Sequence, residues 1–387
     1  VSGRALAWKT PWCARAFAAI LGLAGCSPSN AASGRCEPAR ITAQGIPLSR
    51  CPVPTVTILR STTDGSRQLT RVGNVSTDPA RSCLTRRAFW WVAEGRLLRA
   101  ALPSGEVSSV LGAFRGEHPL EPTGVACDGE ELVFTATLHD RDADRVDLVA
   151  RLRDDATAAR VIWSDRALRD AQPSPRWPSL AGDLVTWSWD FTVPTLWAQR
   201  GAAAALTVRA DLHASTPPAA GPGWVVYPSG TRLERWSPPR QTARLAPGDG
   251  DQWSPVTAGG WVAWIDQRDE PRGTSRTPRN PQVYVLPPGG AARRVSVGAR
   301  RGWRGHPSLS EGWLVWVDTR NDPVPDREPG AWVRAEVFGV RLPNGPERPL
   351  AMQVVASLPR VQGETLYYLA SSEGPRLDLF ARPLPRD

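Results

Sequence analysis

The chain has 387 residues, 41% of them hydrophobic, with 34 Gly, 38 Pro and 18 Trp. So much Gly and Pro would interrupt most long helices, which excludes a helical bundle. The spread of Trp, Val and Leu along the whole length excludes a disordered chain. The formal charge of +9 is carried by 47 basic residues, of which only Lys9 is lysine. Arginines are dispersed among acids and form no run of five or six like charges, so nucleic acid is not an expected partner.

In residues 1–25, Arg4, Lys9 and Arg15 lie before or at the edge of an apolar run at 16–23, followed by Ala24, Gly25 and Cys26. A positive start, a short apolar stretch and small residues describe a secretory signal. The run falls short of the ~20 apolar residues that span a bilayer. Leu23-Ala24-Gly25-Cys26 resembles the lipobox of bacterial lipoproteins. The resemblance implies cleavage before Cys26, a lipid thioether on it, acylation of the new amine and attachment to the cell envelope; separately, no cofactor is expected. Ser27 in the following position resembles lipoproteins sent to the outer membrane. Val1 in place of Met is read as a GTG start. An ordinary signal with a chance cysteine is the alternative.

Residues 26–53 read as a tether and 54–387 as one folded body. Export suits the remaining Cys36, Cys51, Cys83 and Cys127, since an even number in an oxidising compartment suggests disulfides. Four cysteines allow three pairings. Cys36 with Cys51 inside the tether, and Cys83 with Cys127 inside the body, is the favoured set. A zinc site lacks CxxC spacing or a nearby His pair.

The body repeats. A proline, a small or aliphatic stretch, a glycine, two or three residues, an aliphatic residue, one more residue and then Trp or Tyr recur at 178–187, 218–227, 255–264, 307–316 and 359–368. Looser copies lie at 83–92 and 125–134. Successive prolines are 40, 37, 52 and 52 residues apart, a β-propeller period with loop insertions. Trp313-Leu314-Val315-Trp316-Val317-Asp318 is apolar on both faces, as a strand covered on both sides must be. The expected fold is all-β: a propeller of four-stranded antiparallel blades. Seven units are counted, with six or eight left open by the weak upstream copies. The last unit lacks a fourth strand, and residues 55–69 are expected to supply it and close the ring.

Trp264-Ile265-Asp266-Gln267-Arg268 and Trp316-Val317-Asp318-Thr319-Arg320, each after a Pro-x-x-x-Gly-type strand, resemble the TolB-like, WD40-type propeller proteins of bacterial envelopes. TolB has a sizeable α/β domain before its propeller where this chain has only 26–53, so its partners are not carried over.

In such blades the loops between the second and third strands, and those between blades, emerge on one face. Here they are long and charged (140–147, 267–281, 319–332), whereas the opposite turns are short and Gly-rich. Trp177, Trp253, Trp303 and His306 should open onto the long-loop face, together with Arg268 and Arg320. That face is the expected site for a protein partner, or for a glycan. The repeated Asp-x-Arg reads as structural: Asp318 and Arg320, two apart, point to the same side of a strand and are expected to pair with neighbouring blades. Asp140, Asp142 and Asp144 superficially match a calcium loop, but Arg145 and Arg151 stand where Gly and Glu are wanted, so no metal is assigned. His118, His139, His213 and His306 fall in separate units, and neither HExxH nor GxSxG occurs. The reading is a lipid-anchored envelope propeller acting as a non-catalytic binding or scaffold module. The alternative is a carbohydrate-active lyase or hydrolase on the same scaffold.

Overall fold

The computed structural model describes residues 46–48, 51–52, 65–73, 78–112, 120–139, 144–168, 175–189, 195–210, 216–239, 241–246, 250–269, 280–297, 302–310, 312–323, 334–352, 356–371 and 377–386. The signal segment, Cys26 and Cys36 lie outside them. Among the described residues no helix is long and apolar enough to cross a membrane.

Seven antiparallel sheets form blades I to VII, each with strands a to d from the axis outward. The a strands are Ser82–Leu84, Leu120–Asp128, Pro175–Ala181, Ala219–Gly221, Gln252–Ala258, Arg304–Leu309 and Ala356–Gln362. Each touches the next, and the seventh touches the first, so the ring is closed. Its closure joins the two ends of the body. Blade VII supplies Ala356–Gln362, Thr365–Ser371 and Leu377–Pro383, and its fourth strand is Arg67–Gly73. That strand starts later than the sequence pattern placed it. Buried Tyr368 Oη donates to Ser66 Oγ at 2.8 Å and pins it there.

Part of the segment read as a tether is built into the body. Ile46–Pro47 pairs with the outer strand of blade II, Ala158–Leu168, and Cys51–Pro52 with that of blade I, Val107–Gly112. Ile46 is wholly buried in the core between these blades. The chain therefore passes the rims of blades II, I and VII in that order before blade I begins.

The b strands show why continuous apolar sequence is needed. Successive side chains on a strand point to opposite faces. In blade VI, Trp313 and Val315 pack against Leu366, Tyr368 and Phe380 of blade VII. Leu314 and Trp316 pack the other way, against Ala263, Ile265 and Val285 of blade V. Trp90, Trp91, Trp187, Trp264 and Trp316 are fully buried by this arrangement. The a–b turns reverse through left-handed glycines such as Gly182, Gly223, Gly259 and Gly363, with φ of 56°, 76°, 54° and 54°. A side chain there would be strained, which is the physical content of the repeated glycine.

Four a strands carry the same bulge. Trp177, Ser254, His306 and Leu358 each precede a repeat proline, take φ between 45° and 53°, and sit where the a–b register shifts. One extra residue there bends the strand along the axis.

Candidate functional site

Two buried carboxylates organise the long-loop end. In blade V the b strand Trp261–Asp266 ends in Asp266, whose Oδ2 accepts from Trp264 Nε1 at 2.8 Å, Gln252 Nε2 at 3.0 Å and Arg268 Nη2 at 2.6 Å. Blade VI repeats the cluster at the end of Trp313–Asp318. Asp318 Oδ2 accepts from Arg304 Nε and Arg320 Nε, both at 2.9 Å, and from Trp316 Nε1 at 3.4 Å. Alternation places each Trp on the same side as the Asp two residues later. Close backbone approach at Gly250 and Gly302 completes the motif. A Cβ on Gly250 would lie 2.2 Å from Arg268 N, and one on Gly302 2.7 Å from Arg320 N.

These clusters direct Arg268 and Arg320 inward. Arg268 lies over the Tyr284 ring at 4.4 Å and Arg320 over Phe338 at 4.2 Å. Arg320 also meets Glu347 Oε1 at 2.5 Å and donates to Val297 O at 2.8 Å, tying blade VI to the end of blade V. Burial alone would lower the Arg320 pKa, but its hydrogen bonds to Asp318 and Glu347 outweigh that and raise it. Arg304 makes a second inter-blade tie, to Asn280 Oδ1 at 2.6 Å and Pro281 O at 2.9 Å.

Trp177, Trp253 and Trp303 are half-buried where their blades begin, at this same end. The Arg176 guanidinium lies 5.5 Å from the Trp177 ring, and Trp303 meets His306 edge to face at 5.1 Å. Burial, helped by the positive charge of Arg360, lowers the His306 pKa to about 4, so its imidazole is neutral at neutral pH. His118, His213, Asp140 and Asp142 lie outside the described residues, as do the side chains of His139 and Asp144. Among the described residues no cluster of three His, Cys, Asp or Glu could hold a metal ion. Cys83 and Cys127 form a disulfide, with Cα atoms 5.5 Å apart, joining the a strands of blades I and II. Cys51 is described in its backbone only.

An axial channel runs between the a strands. Its waist, about 210 Å³, is lined by Pro178, Pro218, Pro255 and Pro307 with small residues between them. It widens to about 690 Å³ at the short-turn face, where Arg86, Asp128, Asp183 and Arg200 stand on the rim. The two volumes share Cys127, Leu180, Ala220, Thr257 and Leu309 and so are continuous. Sequence reasoning missed Arg304, because nothing in the pattern marks the first residue of an a strand. It also missed Arg360, although a signal existed. The residue after the repeat proline is Ser179, Ala219, Val256 or Ser308 elsewhere and arginine only here.

This is the architecture of a seven-bladed β-propeller. The structure is similar to the β-propeller domain of the Trilobed protease from Pyrococcus furiosus, a domain reported with an open velcro topology. The TM-score is 0.52 at 11% identity, covering 78% of this chain and 93% of that one. It is also similar to the acylaminoacyl peptidase of Pyrococcus horikoshii, with a TM-score of 0.50 at 12% identity over 87% of this chain. The chain spans 55% of that peptidase's length. At such identity the likeness shows the fold alone. No known family matches the sequence, and no curated protein does.

Proposed function

We propose that this protein is a lipid-anchored β-propeller of the bacterial envelope, resembling the TolB-like propellers, that binds a protein partner through its long-loop face without catalysis. The observation that carries the reading is the row of half-buried aromatic rings, Trp177, Trp253 and Trp303, at one end of a rigid scaffold. Aromatic side chains held at a fixed surface are the usual anchors of protein recognition. The buried Asp266 and Asp318 clusters support that end. The lipobox-like Leu23-Ala24-Gly25-Cys26 supports the anchor and its outer-membrane placement, and the Cys83–Cys127 disulfide fits an oxidising compartment.

Palmitate labelling of cells tests the anchor, with Cys26→Ser as the control that must lose the label. Cross-linking with the full chain, compared with a variant whose 267–281 loop is shortened, tests the face. Partner recovery should fall in the shortened variant; undiminished recovery would move the partner elsewhere.

A further inference from the structure

We propose that the outer edge of blade III binds an extended peptide of another polypeptide, which adds to the sheet as a fifth strand and seats an aliphatic side chain in the seam between blades II and III. This goes beyond the loop-face reading and is independent of it, because the edge lies on the rim of the ring.

The chain itself shows how such an edge is filled. Blades I and II are five-stranded, because Cys51–Pro52 and Ile46–Pro47 lie against their outer strands. On blade II, Ile46 stands opposite Ala159 and Pro47 opposite Ala158, and Leu48 N donates to Thr157 O at 2.9 Å. Backbone donors alternate in direction along a strand, so Pro47 occupies a position whose nitrogen faces away from the ladder. Ile46 is wholly buried between blades I and II, and so is Ala159 opposite it.

The remaining rims differ from one another. The outer strand of blade V is only Arg293–Arg294, and that of blade VI, Arg348–Ala351, contains Pro349. Short, charged or proline-bearing edges resist further pairing. On the rim strand of blade VII, Gln68, Leu69 and Thr70 are buried. Blade IV offers Gln241–Arg244, where exposed Thr242, Ala243 and Arg244 supply no large apolar group. Blade III offers Leu206–Arg209, with Leu206 53% exposed and Thr207 exposed beside it. Among the described residues no strand pairs with its outer side.

The seam behind that edge lacks a cover. Trp197 stands opposite Thr207 on one side and Trp187 on the other, on the face turned towards blade II. Ile162, Trp163, Trp197 and Ala205 are only partly buried there. Trp197 Nε1 and Gln199 Oε1 are buried on the same face, and neither has a hydrogen-bond partner. Buried polar atoms are ordinarily paired, so the rim of this seam is incomplete. Between blades I and II the rim is closed by Ile46. A residue that an incoming strand places opposite Thr207 takes the position that Ile46 takes opposite Ala159. The ligand is therefore an extended peptide with an aliphatic residue at that point and, as on blade II, a proline after it. Main-chain bonds to the edge supply affinity, and the seated side chain supplies selectivity.

Fluorescence anisotropy on the purified full chain tests the proposal, with a labelled peptide copying Gln44–Arg50, the sequence that fills the edge of blade II. The peptide should bind, and N-methylation at its Ile46 and Leu48, which removes the ladder donors, should weaken binding at least ~10-fold. Thr207→Lys, at an exposed position, should weaken it as much, whereas Ala243→Lys on the edge of blade IV should not. No saturable binding by ~1 mM peptide overturns the proposal. So does binding indifferent to N-methylation or to Thr207→Lys. Sedimentation velocity tests the other occupant: a dimer of the unaltered chain that Thr207→Lys abolishes would make a second copy the ligand and overturn the assignment to a separate polypeptide.

Discussion

Arg304 Nε donates to Asp318 Oδ2 at 2.9 Å with both side chains wholly excluded from water. Blade V has Gln252 in the equivalent place, donating to Asp266 at 3.0 Å. One repeat position is therefore filled by a neutral donor in one blade and a cation in the next. Removing one partner of a buried pair strands the other, so Asp318→Asn should destabilise the fold by about 3–5 kcal/mol in urea unfolding. Arg304→Gln, which imports the blade V solution, should cost clearly less than Arg304→Met. Equal losses for the two Arg304 variants would contradict the equivalence.

The close approach at Gly302 gives a second test. A methyl group there meets the Arg320 backbone, which cannot swing aside as a flexible side chain could. Gly302→Ala should cost about 1–3 kcal/mol, and Gly250→Ala should behave likewise. Gly129, with nothing within 4 Å of its added Cβ, has φ of 63° and should show only the smaller backbone strain. Thermal unfolding of the three variants decides the ranking.

His306 should make stability depend on acid. Its pKa in the fold is about 4 against 6.5 in the unfolded chain, so between those values the unfolded state holds more protons. The stabilisation is complete above pH 6.5 and declines as the pH falls towards 4, by about 1–3 kcal/mol after allowance for partial exposure. His306→Gln should flatten that part of the profile. An NMR titration placing the His306 imidazole near 6.5 would sink the argument.

Reduction should weaken the ring at one seam. The Cys83–Cys127 bridge joins neighbouring inner strands 44 residues apart in sequence. Replacing both with serine should lower stability by about 2–4 kcal/mol. Non-reducing peptide mapping should find the two joined in the mature protein.

The blade count, the covered b strands and closure by an N-terminal strand were legible because each is periodic. Trp264 and Trp316 announce a strand buried on both faces, and Gly182, Gly259 and Gly363 mark its turn. Individual contacts were harder to read. The spacing of Asp318 and Arg320 pointed to bonds with neighbouring blades, and Arg320 makes one to Val297 O; Asp318 instead bonds Arg320 and Arg304 of its own blade, the latter through strand register, which residue spacing does not encode. Ile46–Pro47 and Cys51–Pro52 were read as tether because two-residue pairings leave no hydrophobic period. The lining of the channel was not legible for a related reason: a cavity belongs to seven strands together and to none of them alone. Arg360 was visible only as an exception to the repeat.

The bond between Ser66 and Tyr368 spans 302 positions of sequence. The stretch that completes blade VII is thus made well before its partner strand and must wait, unmatched, until Thr365–Ser371 and Leu377–Pro383 have followed it. Contacts of such long range are slow to form and leave partly built chains exposed to aggregation. A nascent or prematurely terminated product consequently cannot seal itself.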